Sequence, residues 1–315
     1  MARHWITGAH GFIGRHLSCL LAERGHEVIG LGHGAWPDAE AAAYGLTRWV
    51  NGDVNASNLQ SLSALHGLPD VVFHLAGGSS VRTALENPRE DFFRTVTTTA
   101  ELLEWLRQSA PRARVVAISS AAVYGAGHEG PLSEITLPRP YSPYGHHKLM
   151  MEALCRSYGA AFGLHAVIAR LFSVYGAGLR KQLLWDLCTK LESNVRPLQL
   201  GGTGEEVRDW TEVRDVVSAL SSVSGLAAPH VPVLNVGTGI GTSVRQIAAG
   251  MLTAWDESPS DRAVVFDGKA REGDPFSLQA DAKELGRLGF EWRIPVAQGL
   301  ADYVRWFKSR SQGRL

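Results

Sequence analysis

The chain has 315 residues, 45% of them apolar and 20% charged, with 31 basic and 31 acidic side chains. Balanced charge excludes a general binder of nucleic acid or anionic membrane, and no apolar run is long enough to span a bilayer. Three scattered cysteines, Cys19, Cys155 and Cys188, exclude a disulfide framework, so one large α/β domain, or such a domain with a smaller lobe, is expected in a reducing cytoplasm.

Short apolar runs alternate with helical patterns from the start. Trp5–Ile6–Thr7 enters a glycine-rich turn almost at once, so no leader is expected. A helix follows from Phe12 to Arg24, then strands at His26–Leu31 and Thr47–Val50. An amphipathic stretch around Leu59–Leu65 precedes a strand at Asp70–Leu75. Residues Asp91–Ser109 read as one long helix, Arg114–Ile118 as a strand, Pro143–Phe162 as a helix and His165–Leu171 as a strand. Such alternation predicts a doubly wound parallel sheet of Rossmann type.

The rhythm loosens after Tyr175. Glycine turns at Gly201–Gly204 and Gly237–Gly239 separate short helical patterns near Arg214–Val223 and Val244–Trp255, and a last helix is expected over Val296–Lys308. From Ser309 onward the chain reads as a frayed polar tail. The expected division is a dinucleotide domain over 1–175 and a smaller mixed α/β substrate lobe over 176–315, with the chain free to recross between them.

The chemistry centres on Tyr144 and Lys148, four residues apart and therefore on one helix face, with Ser120 at the end of an upstream apolar run. An ammonium beside a phenol favours the phenolate and lowers its pKa. A hydroxyl on a separate strand can hold a substrate oxygen against that phenol. This equipment moves a proton at a carbinol oxygen while a hydride moves at its carbon. His146 and His147, lying between the pair, are expected to point away into solvent. No zinc spacing occurs among the 12 histidines, so no metal is expected.

Gly8-Ala9-His10-Gly11-Phe12-Ile13-Gly14 sits between the first strand and its helix. Gly8 suits the tight turn, Gly11 a close approach of pyrophosphate, and Gly14 close helix–strand packing. The helix N-terminus offers amides and a favourable dipole to phosphate. Asp53, after the third strand, suits an adenine amino group or the cap of the next helix. Where an NAD site usually carries a carboxylate for the ribose hydroxyl, the second strand ends in Gly32. That opens the site to NADP as well as NAD, although no arginine follows immediately, and His33 or the more distant Arg48 is the basic group expected to take a 2′-phosphate. His33 otherwise reads as a polar loop residue.

Together these motifs resemble the extended short-chain dehydrogenases/reductases of the NAD-dependent epimerase/dehydratase family, over nearly the whole chain. The resemblance rests on the GxxGxxG turn, His74-Leu75-Ala76-Gly77, Ser119-Ser120-Ala121-Ala122-Val123-Tyr124-Gly125, the YxxxK pair, Arg170-Leu171-Phe172-Ser173-Val174-Tyr175-Gly176, Gly204–Trp210 and Arg271-Glu272-Gly273-Asp274. It implies that Tyr144 is the acid/base, that Lys148 tunes it and holds the nicotinamide ribose, and that Ser120 orients the reacting oxygen. It further implies a cofactor site lined by Gly8, His10, Gly11, Phe12, Ile13, Gly14, His33, Asp53, Val54, Leu75, Ala76, Gly77, Ser119 and Leu171. Ser79 and Ser173 would touch substrate, a nucleoside-diphosphate sugar whose phosphates Arg208 and Arg271 neutralise. On composition alone those arginines read as surface partners of Asp209 and Asp274. A homodimer through the helices at Asp91–Ser109 and Pro143–Phe162 is also implied.

Three departures refine the expectation. Ala121 and Ala122 stand where the family's dehydratases carry an acidic pair, so the means of eliminating water are missing. Thr95 and Thr98 replace an asparagine and a glycine, and Ser173 replaces another asparagine. Hydride transfer at C4 of the sugar is the expected reaction. Gly32 tilts the reading toward an NADPH-consuming 4-ketoreductase, with a 4-epimerase that keeps its NAD as the alternative and a non-catalytic nucleotide binder as a remote one.

Overall fold

The computed structural model describes residues 1–258, 262–269 and 275–312. In chain order the elements are β1 (Arg3–Thr7), α1 (Phe12–Glu23), β2 (Glu27–Gly32), α2 (Asp38–Ala43), β3 (Arg48–Asn51), α3 (Ala56–His66), β4 (Val71–His74), α4 (Val81–Glu86), α5 (Pro88–Phe92), α6 (Thr98–Ser109), β5 (Arg114–Ser120), α7 (Pro143–Phe162) and β6 (His165–Leu171). Then come β7 (Ser173–Tyr175), α8 (Gln182–Glu192), β8 (Leu198–Leu200), β9 (Val207–Glu212), α9 (Val213–Val223), β10 (Val233–Val236), β11 (Gly241–Ser243), α10 (Val244–Ala254), β12 (Val264–Phe266), β13 (Ser277–Leu278), α11 (Lys283–Arg287) and α12 (Val296–Gln312). None of the described helices is long and apolar enough to cross a membrane.

Two compact units form. The first takes Met1–Gly125, Glu134–Leu171 and Val217–Val236; the second takes Ala126–Ser133, Phe172–Val216 and the chain from Gly237. In the first, seven parallel strands run in the order β10-β6-β5-β4-β1-β2-β3. This is the doubly wound Rossmann-type sheet expected. Its central strands are near-continuous apolar runs because helices cover both faces; all four residues of β4 are buried. Trp5, Val72, Leu102, Leu106, Val115, Met151 and Ile168 share one core, with Trp5 and Trp105 stacked at 5.3 Å.

The order reverses beside β1, which pairs with β4 on one side and β2 on the other. Such a reversal opens a crevice at the carboxyl ends of the strands. The glycine turn and the loop after β4 both leave the sheet there.

In the second unit, β9 pairs with β7, β11 and β13, and β8 pairs with β12. Asp209 anchors this unit: fully buried, it accepts from the amides of Thr238, Gly239 and Ala280 and from the Thr238 hydroxyl at 2.6–3.2 Å.

Two elements differ from expectation. The helix expected over Asp91–Ser109 is continuous, but its turn at Phe93–Thr97, between α5 and α6, is π-helical. Asp91, Thr95 and Thr99 all remain buried along it. The tail expected from Ser309 instead continues α12 to Gln312. Arg310 holds it, pairing with Glu192 at 2.9 Å and lying over the Trp185 ring at 4.6 Å.

One buried group is expected to make the fold acid-sensitive. His4, on β1, is 5% exposed, and neither ring nitrogen has a hydrogen-bond partner. Burial, and then the neighbouring His26, lower its pKa from 6.5 to about 4. The unfolded chain therefore takes up this proton first as pH falls. The His4 contribution to stability is expected to be full above pH 6.5 and to be lost progressively toward pH 4, by about 3 kcal/mol. His4→Leu is expected to flatten this slope in urea-unfolding midpoints measured across that window. Parallel slopes in parent and variant would remove His4 as the cause.

Candidate active site

Glycine geometry shapes the first turn. Gly8 has φ +76°, donates to Leu31 O at 2.7 Å, and lies so near the Leu75–Ala76 main chain that an added Cβ would come within 3.0 Å. At Gly14 a Cβ would stand 2.5 Å from Gly8 O, so α1 can lie this close to the turn only with glycine there. Gly11 starts α1 with no side-chain cap, which leaves the first-turn amides to main chain or ligand. Phe12 and Ile13, half-buried, occupy that first turn. A dinucleotide phosphate fits this cradle.

Beyond the turn, His10 packs on Trp36 at 4.8 Å and Trp49 at 5.8 Å. His33 and Asp53, expected separately around the adenosine, face each other at 2.9 Å and are 70% and 72% exposed. Asp53 does not cap the following helix. That task falls to Asn55, which accepts from Asn58 N at 2.9 Å. Arg48 lies 3.6 Å from Asp38. Val54 is buried beneath this corner.

A chain of hydrogen bonds at the tip of β4 fixes the second cofactor segment. Thr99 donates its hydroxyl to Thr95 O at 2.6 Å, so it accepts from His74 Nε2 at 3.0 Å. His74 Nδ1 then accepts from the Thr7 hydroxyl at 2.8 Å, and Thr7 accepts from Ala76 N at 3.2 Å. The ring is a neutral Nε2–H tautomer, and burial together with the Lys148 charge pushes its pKa down to about 3. Leu75, Ala76 and Gly77 are thereby placed beside Gly8. A Cβ at Gly77 would lie 3.2 Å from Lys148 Nζ. Thr95, in place of the expected asparagine, accepts from Gly78 N at 2.8 Å. Ser79 follows, exposed.

Ser120 ends β5, paired in register with Leu171 at the end of β6. Helix α7 starts on Ser142, which accepts from Gly145 N at 3.2 Å, and on Pro143, whose ring suits the first helical position. Gly145 lets the helix press onto the turn after Ser120, since a Cβ there would sit 2.6 Å from Ala122 O. This approach brings the Tyr144 hydroxyl up to Ser120. One turn on, Lys148 is 4% exposed and donates to Ile118 O at 2.9 Å. Ser120, Tyr144, Lys148 and Gly77 thus converge.

Two expectations about this trio are corrected. The phenol is not lowered: burial pushes Tyr144 up to about 12, the Ser120 bond pulls it down and the Asp91 charge pushes it up. Lys148, 5.9 Å from the phenol ring centroid, is itself lowered to about 8 by burial. Nor is His147 solvated. Its side chain is 11% exposed, and its Nδ1 lies 2.6 Å from Asp91 Oδ2, whereas His146 is exposed as expected.

Behind the trio stands a buried ion pair that sequence reasoning left without a role. Arg170 holds both oxygens of Glu152 at 2.8 and 2.7 Å. It also donates to the Tyr124 hydroxyl at 2.9 Å, which donates to Asn235 at 2.6 Å. Ser119 turns its hydroxyl into this network, donating to Glu152 at 2.7 Å.

In the second unit, Ser173 pairs in register with Trp210, and Arg208 donates to Val207 O at 2.8 Å and Phe276 O at 3.3 Å. The expected Asp209 partner is committed elsewhere. Arg271 lies outside the described residues.

A reversed parallel sheet with a glycine cradle and a Ser–Tyr–Lys cluster defines a dinucleotide-binding α/β enzyme. The sequence profile of the NAD dependent epimerase/dehydratase family matches residues 5–237. The chain is 31% identical over 320 residues to the UDP-glucose 4-epimerase of Mycolicibacterium smegmatis, covering 98% of this chain and 100% of that one. Among solved structures, MoeE5 in complex with UDP-glucuronic acid and NAD superposes with a TM-score of 0.85 at 33% identity, over 98% and 99% of the two chains. DesIV of Streptomyces venezuelae, a dTDP-glucose 4,6-dehydratase with NAD bound, gives 0.86 at 27%, over 99% and 98%. The chain belongs to the NAD dependent epimerase/dehydratase family and is an NAD-dependent enzyme.

Proposed function

We propose that the protein is a nucleoside-diphosphate-sugar 4-epimerase. The observation that carries this reading is the convergence of Ser120, Tyr144 and Lys148 beside Gly77. Relatives named UDP-glucose 4-epimerase match over the whole chain, which supports the sugar and the carbon. Bound NAD supplies the acceptor of hydride and the means of returning it. The chain's own residues manage the proton. Ser120 holds the C4 oxygen against Tyr144, whose neutral phenol donates when a carbonyl is reduced. In the oxidising direction the phenol must first lose its proton, a loss that the Lys148 ammonium favours. Arg208 and Arg271 are proposed to neutralise the diphosphate.

Ala121 and Ala122, both buried, offer no acid or base beside Ser120, so 4,6-dehydration is left out of the proposal. The ketoreductase keeps one specific support, Gly32, which has no carboxylate to repel a 2′-phosphate. Incubation with UDP-glucose or UDP-glucuronate and NAD separates the readings. The epimerase accumulates the C4 epimer without net NADH. The ketoreductase gives no epimer but consumes NADPH with a 4-keto-sugar. The absence of both sinks the enzyme assignment.

Gly32 also predicts tolerance of NADP, with a Kd within about tenfold of that for NAD. Calorimetry showing a hundredfold preference for NAD would mean that another group rejects the phosphate. The proposal includes a homodimer: Phe92, Phe93, Met150 and Phe162 expose apolar surface along the helices expected to pair, and light scattering reads the mass.

A further inference from the structure

The Asp91–His147 pair has no part in the chemistry described so far. Asp91 is in α5 and His147 in α7, 56 residues apart, with side chains 4% and 11% exposed. A carboxylate only accepts, so the hydrogen between them sits on His147 Nδ1. The Phe92 ring closes edge-on over the imidazole at 5.4 Å. The other carboxylate oxygen packs against Gly78, where an added Cβ would meet Asp91 Oδ1 at 1.7 Å. Asp91 is thus held from one side by a hydrogen bond and from the other by main chain. The next residue back, Gly77, abuts the Lys148 ammonium.

We propose that Asp91, clamped by His147, is a positioning residue: its buried carboxylate is the fixed negative charge that stabilises the Lys148 ammonium and seats the Gly77–Gly78 turn against it. The inference rests on Tyr144 and Lys148 carrying the proton chemistry as proposed above. Burial drives the ammonium toward neutrality, and Asp91 is the largest influence opposing this, ahead of Glu152. The same charge discourages the Tyr144 phenolate.

His147 from α7 bonds this carboxylate, and its charge acts on Lys148 and Tyr144 of the same helix. His74 at the tip of β4 and Glu152 one turn along α7 also act on or feel Lys148. On its own stretch of chain, Glu90 is paired with Arg94 at 2.6 Å and Arg89 lies over Phe93. In α4, Arg82 is paired with Glu86 at 3.0 Å.

The sign follows from charge. Removing the carboxylate lets Lys148 lose its proton at lower pH, so the alkaline limb of turnover moves down. Two readouts test this on the full-length protein: the kcat profile with UDP-glucose, and the Lys148 titration read by NMR of protein labelled with carbon-13 at lysine Cε. The second needs no turnover, so it stands even if the epimerase reading fails. The lysine signal is assigned by its loss in Lys148→Met. In Asp91→Asn both midpoints are expected to fall by about half a pH unit or more.

His147→Ala is expected to shift the titration in the same direction, and His147→Asn, which keeps a donor near the Nδ1 position, to recover most of what alanine loses. If Asp91→Asn does not fold, the histidine pair carries the test. A uniform loss of activity at all pH values with an unmoved lysine titration would show a merely structural role and overturn the proposal.

Discussion

Tyr144→Phe is expected to lower turnover by about 10³-fold or more while leaving NAD affinity within about twofold, because positioned acid–base catalysis contributes roughly 10²–10⁴. The substitution removes one oxygen from a side chain whose ring lies beneath Lys148 and whose hydroxyl faces Ser120. The helix start, set by Ser142, Pro143 and Gly145, does not depend on that hydroxyl. Nor does the glycine cradle around Gly8 and Gly14. Binding and chemistry should therefore separate: calorimetric NAD binding survives and epimer formation does not. Ser120→Ala should act in the same direction but less severely, since it removes a holder of the oxygen rather than the proton donor. A phenylalanine variant with a tenth of parental turnover would take Tyr144 out of the mechanism.

Glu152→Gln is expected to destabilise the fold by about 3–5 kcal/mol, because it leaves Arg170 charged and unpaired inside the protein. Glu152 has no exposed side-chain surface and Arg170 only 2%. The carboxylate meets Arg170 through both oxygens, Ser119 through one and Arg156 through the other. It thereby ties β5, β6 and α7 together one residue away from Ser120 and one turn beyond Lys148. Its pKa is lowered, the hydrogen bonds and charge of Arg170 outweighing a burial that by itself raises it. Urea unfolding and turnover should fall together.

Adding Arg170→Met to Glu152→Gln should recover part of the stability, since an apolar side chain tolerates the site better than a lone guanidinium. Glu86→Gln, which breaks an exposed pair with Arg82, should cost under about 1 kcal/mol. Equal unfolding midpoints for Glu152→Gln and the parent would show that the buried pair carries no net weight.

These two predictions draw on different sources. Tyr144 was legible in the sequence: its spacing to Lys148 and the punctuation around α7 are local. Ser142, Pro143 and a left-handed Gly163 (φ +70°) bound that helix at the residues expected. The glycine turn was legible for the same reason, because close backbone approach demands the residue that has no Cβ. Arg170 was visible only as a motif position and Glu152 only as a helix residue, 18 residues apart, with nothing in either segment to say that they meet. Asp91 and His147 were less legible still. A helical wheel turns His147 away from Tyr144 and hence toward solvent, but α5 covers that side.

Local stereochemistry thus determined the strands and helices that carry the site and the residues able to do its chemistry, since backbone conformation and helical spacing depend on near neighbours. Only the tertiary structure decided the π-helical turn between α5 and α6 and the continuation of α12. It also decided the return of the chain to add β10 beside β6. It reversed the expected sign at Tyr144 as well. Adjacency to an ammonium is written in a four-residue spacing, but desolvation is a property of everything packed around the group. At this phenol it is the larger effect.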